Sequence, residues 1–298
     1  MMIYDAHIHF LFKCASSKLK CKFAYLNEIG VGGFDALIIP EYPAVLKTVR
    51  HMVPEIYHKE VDLEILHRQK DSIHILKKEK GTAIVPFLDA RYIETDIERK
   101  FRMYHEQGFR GLKLLYVPEE DKVSKFGGME NAFGRSLAQS EKVTSMLVDC
   151  ASYYGMPVLM HVDLRRYAEF TENLLKNHPR TSFNIAHFGF SRRKIAPLLD
   201  RYPNCYTDMA SLVPYIKKQP SAYLDFVKHY RERILYGSDG LIGRPEIILK
   251  TSRFVIGWLN GMGISGKIFY ENYMDYHKKN TEPYPVAARS PLKGKKSN

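Results

Sequence analysis

Short β-rich runs alternate with longer amphipathic stretches along almost the whole chain, the pattern of a parallel α/β sheet rather than an all-α or all-β fold. The runs fall at residues 2–8, 34–39, 82–88, 111–115, 157–161, 182–187, 204–208 and 233–236, which predicts eight strands. Helices are predicted between them over 45–79, 92–107, 139–155, 167–177, 191–201, 215–230 and 245–259. The punctuation agrees. Gly81 and Gly108 follow predicted helices, and Gly155-Met156-Pro157 separates a helix from the fifth strand.

Eight strand–helix units predict a TIM-type (β/α)8 barrel, a fold of typically ~250 residues. A doubly wound open sheet is the rival, but no GxGxxG follows the first strand. No internal repeat or linker divides the chain, so one domain is predicted over residues 1–277, followed by a flexible basic tail over 278–298. No run approaches the ~18 consecutive apolar residues of a membrane span, so no membrane partner is expected. The N-terminus leads straight into Tyr4, Asp5 and His7 without an apolar leader, and Cys14, Cys21, Cys150 and Cys205 show no CxxC spacing. A cytoplasmic chain with free thiols is the expectation.

The informative polar residues fall at strand ends. Asp5-Ala6-His7-Ile8-His9 closes the first strand, and period-two alternation puts His7 and His9 on one face. His161 ends the fifth strand, His187 ends the sixth, and Asp239 follows the eighth. Barrels build their active sites at this C-terminal rim, so imidazoles and a carboxylate converge on a common centre. Such a set suits a borderline divalent ion such as Zn²⁺, with one position left open for water. The ion lowers the pKa of that water towards ~7, and a neighbouring carboxylate takes its proton. A lone HxH is more often ordinary strand; the agreement of four strand ends decides against that reading. His51, His58, His67 and His74 lack the i,i+4 spacing of a helical metal pair and are read as a solvated face.

In these residues the chain resembles the amidohydrolase superfamily, and more narrowly the amidohydrolase-2 branch that includes the aminocarboxymuconate-semialdehyde decarboxylase relatives. The resemblance spans residues 2–277, and Ile268-Phe269-Tyr270-Glu271-Asn272 is similar to the closing helix of that branch. It implies one divalent metal ion, zinc first with manganese or iron as alternatives, held by His7, His9, His161 and Asp239. It also implies catalytic roles for Asp239, beside the water, and for His187, which polarises the substrate or positions the hydroxide. Lys113 on the fourth strand stays outside the implied ligand set and is read as a pocket residue. Phe188 after His187, and Gly240-Leu241-Ile242 after Asp239, depart from the residues usual in the branch, so the pocket shape is this chain's own. Relatives in the branch are often dimers, and a homodimer is compatible with the resemblance.

The chain holds 45 Lys and Arg against 33 Asp and Glu, a net charge of +12. From Lys278 onward six basic residues face the single acid Glu282, so the tail carries five of those charges. Many others lie in loops after strand ends, among them Lys13, Lys122, Lys125, Arg192 and Arg244. Around one barrel mouth they would concentrate a small anionic substrate. Arg91, Arg165, Arg166 and Lys113 are the candidate substrate-binding residues. The expected activity is hydrolysis of a small carboxylated molecule, such as a lactone, ester or amide, by metal-activated water. Nonoxidative decarboxylation of an unsaturated or aromatic acid on the same metal site is the alternative. From another class comes a noncatalytic anion- or nucleic-acid-binding barrel. Nucleic acid is disfavoured, because the tyrosines and phenylalanines read as core and pocket wall rather than as a base-stacking platform.

Overall fold

The computed structural model describes residues 2–14, 18–70, 72–76, 81–122 and 125–278. The predicted basic tail, Lys278 apart, lies outside the described residues. Strands β1 (Ile3–His9), β2 (Val31–Ile38), β3 (Ala83–Asp89), β4 (Gly111–Tyr116), β5 (Val158–Val162), β6 (Phe183–Ile185), β7 (Cys205–Asp208) and β8 (Ile234–Leu235) pair in parallel, each with the next in sequence. A further short strand, β9 (Gly240–Leu241), pairs in parallel with β1. Helices run between the strands, and the result is a single-domain α/β fold of the TIM-barrel type.

The eighth predicted strand is therefore two pieces. Ile234 and Leu235 pair with β7, whereas Gly240 and Leu241 pair with β1. Residues 236–239 bend between them, and Asp239 takes the left-handed conformation at φ 55°. Hydrogen bonds from Ala6 N to Tyr236 O and from Asp239 N to His7 O, both 2.9 Å, carry the ring across the break.

Alternation along the strands sorts their side chains. Leu37, Phe87, Leu159, Tyr206 and Leu235 form one cluster inside the ring with Ala6, Tyr273 and Tyr276. Ile8, Phe34, Leu88, Leu112, Met160 and Ile185 belong to the larger core between strands and helices. Two residues further along the inward faces, polar groups replace apolar ones: Asp89 after Phe87, Lys113 after Gly111, His161 after Leu159, Asp208 after Tyr206. The interior is thus apolar towards the strand starts, Asp35 apart, and polar at the C-terminal rim. Gly111 is required by this packing, since a Cβ there would lie 2.4 Å from the Phe87 ring.

The other end is closed by the helix Asn272–Lys278. Its Tyr273 hydroxyl donates to the buried Asp35 Oδ1 at 2.6 Å, and His277 Nε2 lies 3.1 Å from the same oxygen. Asn272 Nδ2 donates to the carbonyls of Arg231 and Ile234, both at 2.7 Å, and so ties the helix to the start of β8.

The helix predicted over 45–79 is interrupted: Leu46–His51 and a 3-10 turn at Glu55–Tyr57 precede the helical residues Leu63–Lys70 and Ser72–Leu76, and residues 71 and 77–79 lie outside the described ones. Pro54 accounts for the first break, because it lacks an N–H and disfavours helical geometry in the residue before it. Pro220 divides the 215–230 prediction in the same manner, into Val213–Lys218 and Pro220–His229. The helices Leu19–Asn27 and Gly128–Phe133 have no counterpart in the sequence expectation. Elsewhere the local signals act as read: Gly108 closes Ile97–Gln107 at φ 110°, and a Ser136–Gln139 capping box opens Leu137–Tyr153. All four cysteines are free thiols, and among the described residues no helix is long and apolar enough to cross a membrane.

Candidate active site

The pairing of β1 with β2 slips between Asp5 and Ile8, the kind of irregularity that re-aims side chains at barrel rims. The buried Asp5 carboxyl group fills the gap, its Oδ1 accepting from His7 N and Ser238 N at 3.0 Å each. Burial pushes this carboxyl up to about 7. Past the slip, His7 and His9 face one centre with ring centroids 5.4 Å apart. The left-handed turn at Asp239 brings its Oδ1 to 3.2 Å from His7 Nε2 and 3.1 Å from His9 Nε2. Its Oδ2 accepts from Ser211 Oγ at 2.6 Å.

Behind this trio stands Asp208, fully buried at the end of β7. Its Oδ2 lies 2.9 Å from His7 Nδ1 and accepts from Asn184 Nδ2 at 3.0 Å. Its Oδ1 accepts from the backbone N–H groups of His187, at 2.9 Å, and Ala210, at 3.1 Å. Burial raises the pKa of this carboxyl, but the charge and hydrogen bond of His7, with His187 beside it, outweigh burial and hold it well below the usual range. Asp239 is lowered in the same way, burial being outweighed by His7 and by the His9 hydrogen bond.

Burial, helped by the nearby Lys113, lowers His7 to about 4. Its ring is therefore neutral at pH 7, and the ionised Asp208 keeps the single proton on Nδ1. Nε2 then turns a lone pair towards Asp239 Oδ1, so two acceptors stand 3.2 Å apart with no proton to share. That confrontation, together with His9 Nε2, makes a candidate donor set for a divalent cation. Lys113 Nζ approaches His7 Nε2 at 3.3 Å, and burial lowers its ammonium to about 8.

His161 lies beside this trio and is held by His187. His187 Nδ1 donates to Ala210 O at 2.9 Å, and its Nε2 is 3.2 Å from His161 Nδ1. Where His161 Nδ1 donates across this contact, His161 Nε2 keeps a free lone pair. Burial and the His187 ring keep His161 well below the usual histidine range. Among the described residues, the His and Asp groups whose ligand atoms lie within 4.8 Å of one another are His7–His9–Asp239 and His7–His187–Asp208, and His161 belongs to neither.

His187 occupies an unusual turn. His187, Phe188, Gly189 and Phe190 all have φ between 54° and 59°, a left-handed run that only Gly adopts without strain. The Asp208 bond to His187 N and the burial of Phe188 against Tyr223 and Phe226 hold it in place. The turn presents Phe190 to His161, at a centroid distance of 5.1 Å.

The arginines behave differently from one another. Arg91 is buried, and its fork is occupied by Asp89, with Nε to Oδ1 at 2.9 Å and Nη2 to Oδ2 at 2.5 Å. Its Nη1 donates to Met52 O at 2.9 Å, so Arg91 fastens the Leu46–His51 segment to the end of β3. Arg165 and Arg166 are exposed at the start of the helix Leu164–Asn177, the first forked on Asp163 and the second paired with Glu119. Both line a mouth pocket of about 380 Å³ whose wall includes His161, Tyr116, Tyr167 and Phe190.

Asp208, Asp89, Asn184 and Ser211 carry the site's hydrogen bonding, and none of them is among the residues the sequence singles out. A signal existed for two of them: Tyr206-Thr207-Asp208 and Phe87-Leu88-Asp89 close their strands on a carboxylate after an inward apolar residue, as Leu159-Met160-His161 closes on an imidazole.

A barrel with histidines and aspartates gathered at its C-terminal rim defines a class of metal-dependent hydrolases. The amidohydrolase family matches residues 47–285, and the chain belongs to it. It is an enzyme of that superfamily, which implies a divalent metal. The matched stretch includes His161, His187 and Asp239 but begins after β1, so His7 and His9 enter on geometry. An amidohydrolase from Burkholderia multivorans is 12% identical, with TM-score 0.56, and the alignment covers 93% of this chain and 99% of that one. A phosphotriesterase homology protein from Escherichia coli, solved with phosphate in its active site, is 11% identical with TM-score 0.56, covering 93% and 99%. A TIM-barrel protein from Bordetella bronchiseptica is 13% identical with TM-score 0.53, covering 95% and 100%. At these identities the likeness is one of fold. No curated protein matches the chain.

Proposed function

We propose that the chain hydrolyses a small carboxylated substrate, such as a lactone, ester or amide, on one divalent ion held by His7, His9, Asp239 and His161. The observation that carries this reading is the pair of acceptors, His7 Nε2 and Asp239 Oδ1, set 3.2 Å apart with His9 Nε2 alongside. Zinc suits the imidazole-rich set best, with manganese and iron as alternatives. When bound, such an ion polarises a carbonyl and lowers the pKa of water towards ~7.

The chain's own groups supply the rest. Asp208 keeps the His7 proton on Nδ1, which leaves Nε2 free to ligate. Asp239 Oδ2, steadied by the Ser211 hydroxyl, accepts the proton of the attacking water. His187 is fixed by Ala210 O and Asp208, and its ring supports both His161 and the developing charge on the substrate. Arg165 and Arg166 exchange Asp163 and Glu119 for the substrate carboxylate at the mouth pocket.

A panel of lactones, esters, amides and unsaturated or aromatic acids tests the assignment, with acid production and CO2 release followed in parallel. Acid release from members of the first group is the expected outcome. CO2 from an acid substrate, with every lactone, ester and amide inert, would replace hydrolysis by decarboxylation.

A further inference from the structure

A second cavity of about 460 Å³ opens between the helix Leu46–His51 with its following turn and the loop at 125–127. Lys47, Arg50, His51, Glu55, His58 and Lys125 line it. Lys125 and Glu55 neutralise each other at 2.5 Å. Lys47 and Arg50 are exposed and, among the described residues, have no carboxylate partner. They differ in this from Arg91, Arg165 and Arg166, which the protein's own carboxylates occupy. Among the described residues the groove therefore keeps two uncompensated positive charges.

It is also a built groove. His58 Nε2 donates to the carbonyls of Val53, at 2.9 Å, and Arg50, at 3.1 Å, which folds the turn back on the helix end. A Cβ on Gly127 would lie 2.4 Å from His51 Nδ1, so only glycine lets the loop approach the imidazole this closely. Arg91 Nη1 on Met52 O and the Tyr92 hydroxyl on Val49 O, at 2.9 and 2.8 Å, anchor the helix to the barrel.

We propose that this groove binds a phosphate-type dianion, either free phosphate or a phosphate monoester, at a site separate from the metal centre. Such a group carries about two negative charges at pH 7 and three strong acceptor oxygens, which match two free cations and the fork of Arg50. A single carboxylate would match only one of those charges. The bound anion would clamp the 46–58 segment to the 125–127 loop.

Calorimetric titration of inorganic phosphate and of glycerol phosphate into the metal-loaded protein tests the site, with acetate at equal ionic strength as control. The titrations are repeated on His7→Ala/His9→Ala, which removes the metal centre as a competing phosphate site. Saturable binding is expected in both proteins, weakened by about tenfold or more in Lys47→Ser/Arg50→Ser through loss of charge-assisted hydrogen bonds. Lys125→Ser leaves Glu55 unpaired against the anion and is expected to weaken binding as well. The tighter of the two ligands identifies free phosphate or ester as the natural source. Failure of both ligands to bind, binding unchanged in Lys47→Ser/Arg50→Ser, loss of binding in His7→Ala/His9→Ala, or acetate matching phosphate would each overturn the assignment.

Discussion

Replacing Asp208 with Asn keeps the shape of the side chain and removes its charge, which isolates the part this residue plays at the centre. Asp208 is fully buried and accepts from His7 Nδ1, Asn184 Nδ2, His187 N and Ala210 N. An amide has one acceptor oxygen, so two of these donors must face an NH2 group. If the oxygen stays on the backbone pair, His7 escapes the clash by moving its proton to Nε2, and the lone pair aimed at Asp239 disappears. If the amide turns over, the turn carrying His187 loses its anchor. Each orphaned buried donor costs ~1–3 kcal/mol, and the two orientations orphan one or two of them, so the metal-free variant should be less stable by about 1–6 kcal/mol. Loss of a group that orients a ligand typically weakens metal binding ~10–100-fold. Competition against a zinc chelator reads the affinity, and urea unfolding reads the stability. The pH dependence has a definite sign. A depressed carboxyl stabilises the fold above its ordinary value of 3.8, and that contribution is lost as pH falls through the folded value. Asp208→Asn should lose this share of the acid limb, while Asp239 keeps its own. A variant that folds normally and binds zinc as tightly as the parent would refute the claim that Asp208 sets the His7 proton.

Arg91→Ala strands the buried Asp89 carboxylate and releases Met52 O, so stability to urea should fall by ~3–5 kcal/mol. Gly189→Ala puts a Cβ 2.3 Å from Leu164 Cδ1 at φ 56°, and a loss of about 1–3 kcal/mol in thermal unfolding is expected. Asp5 works in the opposite sense to Asp208. Its carboxyl is raised to about 7 by burial, so the metal-free fold should lose on the order of 4 kcal/mol as pH rises from 3.8 towards 7. Asp5→Asn should flatten that slope, and a slope identical to the parent's would count against a buried protonated Asp5.

The barrel was legible because inward apolar residues recur at a period of two and helices separate the strands, a pattern that survives at the level of Phe87, Leu159 and Tyr206. The break in the eighth strand was not, since a left-handed Asp239 leaves no mark in composition. The 45–79 stretch looked continuous because its apolar residues keep a helical rhythm, yet Pro54 overrides rhythm locally. At the site, His7, His9 and Asp239 stand out as residue types at strand ends. Asp208 and Asn184 act through hydrogen bonds to other strands, a relation that appears only once the sheet has closed. The arginines show the converse. Their position after strand ends is visible in the sequence, but whether a guanidinium is free or occupied depends on a carboxylate such as Asp89 folding beside it.

Metal stoichiometry after dialysis against zinc asks whether His7, His9 and Asp239 together hold a divalent ion. About one equivalent per chain is expected in the parent, with loss of that ion in His7→Ala/His9→Ala. Less than about a tenth of an equivalent in the parent, unrestored by zinc or manganese, or full metal content in the double variant, would contradict it.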